Sequence, residues 1–256
     1  MRLGMVIDLQ KCVGCGACAF ACKAENNTRD RADGQSFNWA DFVMKTEGIF
    51  PNVTHWVMPV LCNHCSDAPC VKACPVKGEK AMYKTPEGIT MYDSSKCIGC
   101  RQCQEACPYS QEKLGDESLD GQTYSVISYN SDTAEPQPYW ADKSAAIAGC
   151  TASGAEMAAK AGVPVPAMNQ FKAGEAQPLR RKDVVEKCTF CYHRVSNGLQ
   201  PACVEVCPSQ ARIFGDQEDP KSAISMILAN QKTFRLQEDK GTKPNVHYVG
   251  KYSARA

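Results

Sequence analysis

The chain has 256 residues, and 17 of them are cysteines, a high number for a protein of this length. Because 17 is odd, the cysteines cannot all pair as disulfides, and the chain is much longer than small disulfide-rich domains, so metal binding is the better hypothesis. The formal net charge of +1 gives no reason to expect nucleic acid as a partner, and no apolar run approaches the ~18 residues of a transmembrane helix.

The first predicted element is a strand from Leu3 to Leu9, which leads into a run of cysteines spaced C-x2-C-x2-C-x3-C. This first run consists of Cys12, Cys15, Cys18 and Cys22. In such a run the first three cysteines lie on a tight loop and face one cluster, whereas the fourth opens a helix and ligates the other cluster of a pair. A long polar and aromatic connection, Thr28 to Trp56, follows.

The second and third runs of cysteines both end in C-x3-C-P, and a short hairpin is predicted between them. The second run consists of Cys62, Cys65, Cys70 and Cys74, and the third of Cys97, Cys100, Cys103 and Cys107. The hairpin would pair Ala81 to Tyr83 with Ile89 to Met91 across a turn at Pro86 to Gly88. A further strand is predicted at Val126 to Tyr129.

The fourth run has the spacing C-x2-C-x11-C-x3-C-P and consists of Cys188, Cys191, Cys203 and Cys207. It follows a long insertion in which an Ala-rich helix is predicted from Ser144 to Ala161. After the run we expect a strand at Arg212 to Phe214, an amphipathic helix at Ala223 to Gln231, and an extended segment at Asn245 to Val249.

Thiolates in sets of four suit either zinc or iron–sulfur clusters. Structural zinc sites normally use two separated C-x2-4-C pairs, so three cysteines within seven residues, followed by x3-C, favour [4Fe–4S] clusters. The fourth run alone would be a fair zinc candidate, but its x3-C-P ending matches that of the second and third runs.

These motifs resemble those of the four-cluster iron–sulfur subunits of membrane-associated molybdopterin oxidoreductases. That family includes dimethyl sulfoxide, polysulfide, thiosulfate, tetrathionate and respiratory arsenate reductases, and the arsenate and polysulfide branch is the most similar. The matching stretches are KCVGCGACAFACKAENNT, LCNHCSDAPCVKACP, KCIGCRQCQEACPY and EKCTFCYHR with PACVEVCP, in the family's order and with its gaps. Two segments, Val76 to Lys80 and Ser110 to Thr123, are longer than is usual and leave the substrate open.

The resemblance implies a nested pairing, in which the first run shares its clusters with the fourth and the second with the third. The implied ligands are Cys12, Cys15, Cys18 and Cys207 for cluster one, Cys62, Cys65, Cys70 and Cys107 for cluster two, Cys97, Cys100, Cys103 and Cys74 for cluster three, and Cys188, Cys191, Cys203 and Cys22 for cluster four. Spacing alone also permits an adjacent pairing, of the first run with the second and the third with the fourth.

The implied fold is α+β, with two ferredoxin-like dicluster units, long insertions and a C-terminal extension. We expect one unit at residues 1–58 and 179–222, holding clusters one and four, and the other at 59–130, holding clusters two and three. Residues 131–178 would be an insertion, and 223–256 a C-terminal helix and extended tail.

By the same resemblance, the chain has no catalytic residues and relays electrons through four [4Fe–4S] clusters in anaerobic respiration. Its partners would be a molybdopterin catalytic subunit and a quinone-linked membrane subunit or a cytochrome. The resemblance also implies a periplasmic location, and since the residues before Cys12 contain no apolar segment typical of a signal peptide, the chain would reach it by export with a twin-arginine partner. The alternative is a cytoplasmic polyferredoxin-type carrier of a hydrogenase or another oxidoreductase.

Four oxidised clusters with their thiolates carry about −2 each, which changes the formal net charge from +1 to about −7. Cations beside ligands are therefore candidates for tuning reduction potentials: Lys11, Lys72, Lys96, Arg101, Lys187 and Arg194. Since sixteen cysteines fill the ligand positions, His64 and His193 are expected near the clusters or at the surface, without ligating them. Cys150 is expected to be a small buried side chain and not a ligand.

Overall fold

The computed structural model describes residues 1–26, 28, 39–111, 125–131, 143, 152–162 and 181–251. The strands are β1 (Leu3–Asp8), β2 (Ala40–Ile49), β3 (Asn52–Leu61), β4 (Met82–Lys84), β5 (Thr90–Tyr92), β6 (Ile127–Asn130), β7 (Val184–Lys187), β8 (Arg212–Asp216), β9 (Thr233–Phe234) and β10 (Val246–Val249). The helices are α1 (Ala17–Asn26), α2 (Pro69–Lys72), α3 (Gln102–Ala106), α4 (Pro108–Gln111), α5 (Gly154–Ala161), α6 (Tyr192–Val195), α7 (Ala202–Glu205) and α8 (Ala223–Asn230).

A four-stranded sheet in the order β8-β1-β10-β9 joins both ends of the chain. Strand β1 is antiparallel to β8 and parallel to β10. Its residues Met5, Val6 and Ile7 are fully buried, as expected for an apolar strand in the interior of a sheet. Helix α8 covers one face of this sheet, where Ile224 packs with Val6.

The remaining strands form antiparallel pairs that flank the cysteine runs. The pair β4–β5 confirms the predicted hairpin, with Gly88 in the left-handed conformation (φ +80°) at its turn. Strand β6, which follows the third run, pairs with β7, which precedes the fourth. The strands predicted after the third and fourth runs and at the start of the chain are also present, as β6, β8 and β1. The mixed content of helix and strand agrees with the expected class.

The sequence predicted only a polar and aromatic connection between the first and second runs. In the structure, part of this connection is a hairpin, in which β2 and β3 pair through ten residues each. The buried residues described in this hairpin lie at its base: Ala40, Asp41, Val43 and Val57 to Leu61. Asn52 to His55 on β3 is exposed on both faces, so its sequence lacks the alternation of apolar and polar residues that identifies a half-buried strand.

The helix predicted in the insertion is described from Gly154 onward, as α5, which Ser153 and Glu156 cap reciprocally. Cys150, most of the segment at Ser110 to Thr123, and most of residues 131–178 lie outside the described residues. The predicted C-terminal helix and extended segment are confirmed as α8 and β10. Within the described part of the chain, no helix is long and apolar enough to cross a bilayer.

Candidate metal centres

The C-x-x-C loops of all four runs share one backbone conformation. The residue before the second cysteine has a positive φ in each: Gly14 (+67°), His64 (+43°), Gly99 (+67°) and Phe190 (+52°). At Gly99 no other residue fits, since a Cβ atom would lie 2.4 Å from the carbonyl oxygen of Asp183. The sequence motif therefore encodes a repeated local structure.

In the second and fourth runs this conformation directs a backbone N–H group toward the first cysteine of the loop. The amide of His64 donates to Cys62 Sγ and that of Phe190 to Cys188 Sγ, both at 3.4 Å. Hydrogen bonds to sulfur stabilise a thiolate and are one means by which a protein adjusts the potential of an iron–sulfur cluster.

Cys22, the last cysteine of the first run, lies among the cysteines of the fourth run. Burial raises the pKa of Cys22 well above its ordinary value, and the neighbouring thiols of Cys188, Cys203 and Cys191 raise that pKa further. Helix α1, which carries Cys22, contacts α7, which carries Cys203. These four residues are the set implied for cluster four.

The set implied for cluster one lines a single cavity, formed in part by Cys12, Cys15, Cys18 and Cys207. Burial raises the pKa of Cys12, and the thiols of Cys18 and Cys207 act in the same direction. Burial alone would also raise the pKa of Cys207, but the Ser209 hydroxyl and nearby backbone amides lower it overall.

All four cysteines of the set implied for cluster two are buried. The pKa of Cys107 is raised by burial first, then by the thiols of Cys62 and Cys70. Burial likewise raises the pKa of Cys65 to about 11 and that of Cys70 to about 12, and in both cases Cys62 adds to the effect.

The set implied for cluster three is only partly connected by these interactions. Burial raises the pKa of Cys103 to about 12, and the thiols of Cys70, Cys97 and Cys100 add to this effect. For Cys74, burial alone would raise the pKa, but the backbone amides of Met82, Val76 and Ala81 lower it overall. Helix α2, which ends just before Cys74, contacts helix α3, which carries Cys103.

Three pairs of thiols connect the four sets in a row. Cys18 of set one raises the pKa of Cys203 in set four, and Cys62 of set two raises the pKa of Cys188 in set four. Cys70 of set two raises the pKa of Cys103 in set three. Cys15 and Cys100, in sets one and three, are exposed, whereas all members of sets four and two are buried. The sets thus follow the order one, four, two, three, with the accessible sets at the ends.

Two lysines lie beside set two, Lys187 buried and Lys84 half-buried. Lys187 is completely buried and its Nζ donates to the carbonyl oxygens of Thr90 and Cys188, each at 2.5 Å. Its positive charge acts to lower the pKa of both Cys70 and Cys188. Lys84 donates to the carbonyl oxygens of Cys65 (2.7 Å) and Gly88 (2.5 Å). The sequence singled out Lys187 but missed Lys84, which lies in β4, ten residues after Cys74.

The other candidate cations have different surroundings. Lys72 and Lys96 form exposed ion pairs, with Asp67 and with Glu79. Arg194 pairs with Glu25 Oε2 (3.1 Å) and with Glu205. Their charges are therefore balanced locally by carboxylates.

His64 is completely buried, and its ring stacks on that of Phe190 with centroids 3.6 Å apart. Its Nδ1 accepts a hydrogen bond from the Thr90 amide at 3.2 Å. Burial, followed by the charges of Lys187 and Lys84, lowers its pKa well below the ordinary value. His193 contacts Glu25 Oε1 at 2.7 Å.

The donor chemistry of the four sets fits iron–sulfur clusters, because each set offers four thiols, those of sets two and four are buried, and backbone amides donate to the sulfur atoms of Cys62, Cys188 and Cys207. A family model described as a 4Fe-4S dicluster domain matches residues 53–123 and 176–217, and one described as a 4Fe-4S binding domain matches residues 3–24. The arsenate respiratory reductase iron-sulfur subunit ArrB of Shewanella sp. (strain ANA-3) is 43% identical over 256 residues, covering 100% of this chain and 99% of that protein. The protein belongs to the family of four-cluster iron–sulfur subunits of molybdopterin oxidoreductases.

Other members of this family also match nearly the whole chain. The iron-sulfur subunit of a dimethyl sulfoxide reductase, so named in Halobacterium salinarum, is 35% identical, over 96% of this chain and 78% of that protein. A polysulfide reductase component of Wolinella succinogenes is 28% identical, over 97% of this chain and 94% of that protein. As a member of the family, the chain carries four [4Fe–4S] clusters and is a non-catalytic electron-transfer subunit of an anaerobic respiratory reductase.

Proposed function

We propose that this iron–sulfur subunit delivers electrons to the molybdopterin catalytic subunit of an arsenate respiratory reductase. The full-length likeness to the arsenate respiratory reductase subunit, at 43% identity, supports this substrate over the others named among its relatives. The electrons would come from a quinone-linked membrane subunit or a cytochrome, and export with a twin-arginine partner would place the complex in the periplasm.

The nested ligand sets and the two ferredoxin-like units belong to the same proposal. Thiols of the fourth run raise the pKa of Cys22, and thiols of the second run raise the pKa of Cys107. This closeness supports nested over adjacent pairing. The contacts of α1 with α7 and of α2 with α3 support two units, each holding one pair of clusters.

The proposed relay rests on one observation. The four sets lie in a row, and of these sets the two at the ends contain an exposed cysteine. Clusters held there would accept an electron at one end and release it at the other. Adjacent members of the row share neighbouring thiols, so each transfer would cross a short distance through the buried interior.

The test starts from the complex purified without oxygen, with its clusters reduced by a limiting amount of dithionite. Addition of arsenate should reoxidise the clusters, followed as the return of their visible absorbance, and should yield arsenite. Dimethyl sulfoxide, tetrathionate and polysulfide, added to separate samples, should reoxidise them at least tenfold more slowly. Reoxidation by one of these and not by arsenate would contradict the proposed substrate.

Co-purification distinguishes a subunit of a reductase complex from a soluble electron carrier. A catalytic subunit with a twin-arginine signal should accompany the chain. A chain that purifies alone with all its clusters, and that reduces no oxyanion through a partner, would instead be the soluble polyferredoxin-type carrier.

A further inference from the structure

Arg212, the first residue of β8, places a buried positive charge between two sets of thiols. It is 3% exposed, and its Nη1 lies 3.9 Å from Cys203 Sγ and 3.8 Å from Met5 Sδ. It also lines the cavity formed by the set of cluster one, and its side chain hydrogen-bonds to Cys18. The guanidinium therefore contacts the proposed ligands of both cluster one and cluster four.

The groups that raise the pKa of this guanidinium most are not carboxylates. Burial alone would lower the pKa of Arg212, but the thiols of Cys18 and Cys203 and the hydroxyl of Tyr248 raise it overall. Its Nη2 atom has no hydrogen-bond partner among the residues that the structure describes. Because burying a cation is costly unless an anion accompanies it, the balancing charge must come from the two metal centres.

Arg194 provides a contrast within the same part of the molecule. It lies close enough to Cys191 to influence its pKa, but Glu25 and Glu205 pair with it and Glu25 acts on that pKa in the opposite direction. The charge of Arg194 is largely cancelled, whereas that of Arg212 is available to the thiolates on either side.

We propose that Arg212 raises the reduction potentials of clusters one and four together, through one positive charge held between them. A cluster becomes more negative by one charge when it is reduced, so a nearby cation stabilises the reduced form. A cation between two clusters acts on both and also weakens the repulsion between them, which eases passage of an electron from one to the other. This inference rests on the proposed ligand sets and is independent of the substrate.

The test is an EPR-monitored redox titration of the complex carrying Arg212→Gln, Arg212→Lys or Arg194→Gln. The signals of clusters one and four are first assigned from Cys12→Ala and Cys191→Ala complexes. Arg212→Gln should shift the potentials of clusters one and four to lower values and leave the other two unchanged. Arg212→Lys should keep the potentials of clusters one and four close to those of the parent complex. Arg194→Gln should shift the same two potentials much less than Arg212→Gln.

Unchanged potentials in an Arg212→Gln complex with all its iron would overturn the proposal, and so would a shift confined to one cluster or an equal shift in Arg194→Gln. If Arg212→Gln loses iron, Arg212→Lys decides. Full iron and near-normal potentials with lysine would show that a positive charge is required, whereas iron loss with lysine would show a packing role instead. None of these readouts depends on arsenate, so the proposed function can fail separately.

Discussion

His64 and Phe190 occupy left-handed backbone positions that glycine fills in the other two C-x-x-C loops. Such a conformation costs a residue with a Cβ atom about 1–2 kcal/mol. Both side chains are buried, and their rings stack on each other between the loops of the second and fourth runs. Ring stacking of this kind contributes about 0.5–1.5 kcal/mol beyond burial, which offsets much of the strain. The rings therefore fill the junction between sets two and four, where glycine would leave a void.

Replacement of a single ligand has a defined effect on the iron content of the protein. Cys62→Ala should reduce the content from about sixteen irons per chain to about twelve, or to about fifteen if a three-iron cluster remains. Cluster binding contributes to the stability of the fold, so the variant should also unfold more easily. Iron analysis and EPR of the purified complex measure both the loss and the species that remains.

Cys150→Ala is the matched control for this change, because Cys150 is predicted not to be a ligand and lies outside the described residues. The control should retain about sixteen irons. Full iron in Cys62→Ala would argue against its assignment to cluster two, and iron loss in the control would show that Cys150 is not a bystander.

We expect His247 to make the stability of the sheet depend on pH. It lies in β10, contacts Gln217 Oε1 at 3.0 Å, and has its pKa lowered from 6.5 to about 4 by burial and by the charges of Arg235 and Arg2. The unfolded protein takes up this proton near pH 6.5 and the folded protein only near pH 4. Its contribution to stability is therefore complete above pH 6.5 and is lost as the pH falls toward 4.

A variant with His247→Gln should lose less stability than the parent protein between about pH 7 and about pH 5, since glutamine does not take up a proton. Guanidinium unfolding curves at the two pH values, compared between parent and variant, measure the difference. Acid lability of the clusters affects both proteins equally. An identical pH dependence in the two would refute the role of this histidine.

The C-terminal strand β10 connects the main sheet with the loop of the second cysteine run. The residue before it, Asn245, donates through Nδ2 to the carbonyl oxygen of His64 (2.7 Å) and through its backbone amide to that of Asn63 (2.8 Å). Its own carbonyl oxygen accepts from the Met5 amide at 3.0 Å, and its Oδ1 accepts from Gln217 Nε2 at 3.0 Å. One buried residue thus joins β1, the loop between Cys62 and Cys65, and the segment after β8.

Asn245→Ala should lower the free energy of unfolding by about 1–3 kcal/mol, because it leaves buried partners of the amide unsatisfied. Asn230→Ala is the matched control, since among the described residues that exposed amide bonds to the carbonyl oxygen of Met226, in its own helix. The measurement is the guanidinium concentration that bleaches the clusters of each variant. Equal midpoints for the two variants would show that Asn245 does not hold the strand in place.

At the scale of the whole molecule, cysteine spacing was enough to predict the cluster motifs and the short strands that flank them. Those features depend on local loop geometry and on contacts between neighbours in sequence. The hairpin β2–β3 was not predicted, because much of its outer part is exposed on both faces and carries no alternating pattern.

The cations beside the cysteine sets could be predicted only in part, for a physical reason. Arg212 lies near Cys18, 194 residues away in the sequence, only because β8 pairs with β1 beside the first cysteine loop. Lys84 reaches the loop of Cys65 across the β4–β5 hairpin. No spacing rule identifies a charge that tertiary contacts bring to a ligand, whereas Lys187 was found because it precedes a ligand directly.

The two glycine loops belong to the end sets with an exposed cysteine, and the two loops with stacked rings belong to the enclosed middle sets. Within the described part of the chain the exposed cysteines lie in the end sets, so dissolved oxygen and other small oxidants should reach clusters one and three more readily than the inner pair. Oxidative damage would begin at clusters one and three, and the inner pair would survive longer. A protein exposed briefly to air would then stop exchanging electrons with its partners while much of its iron is still bound.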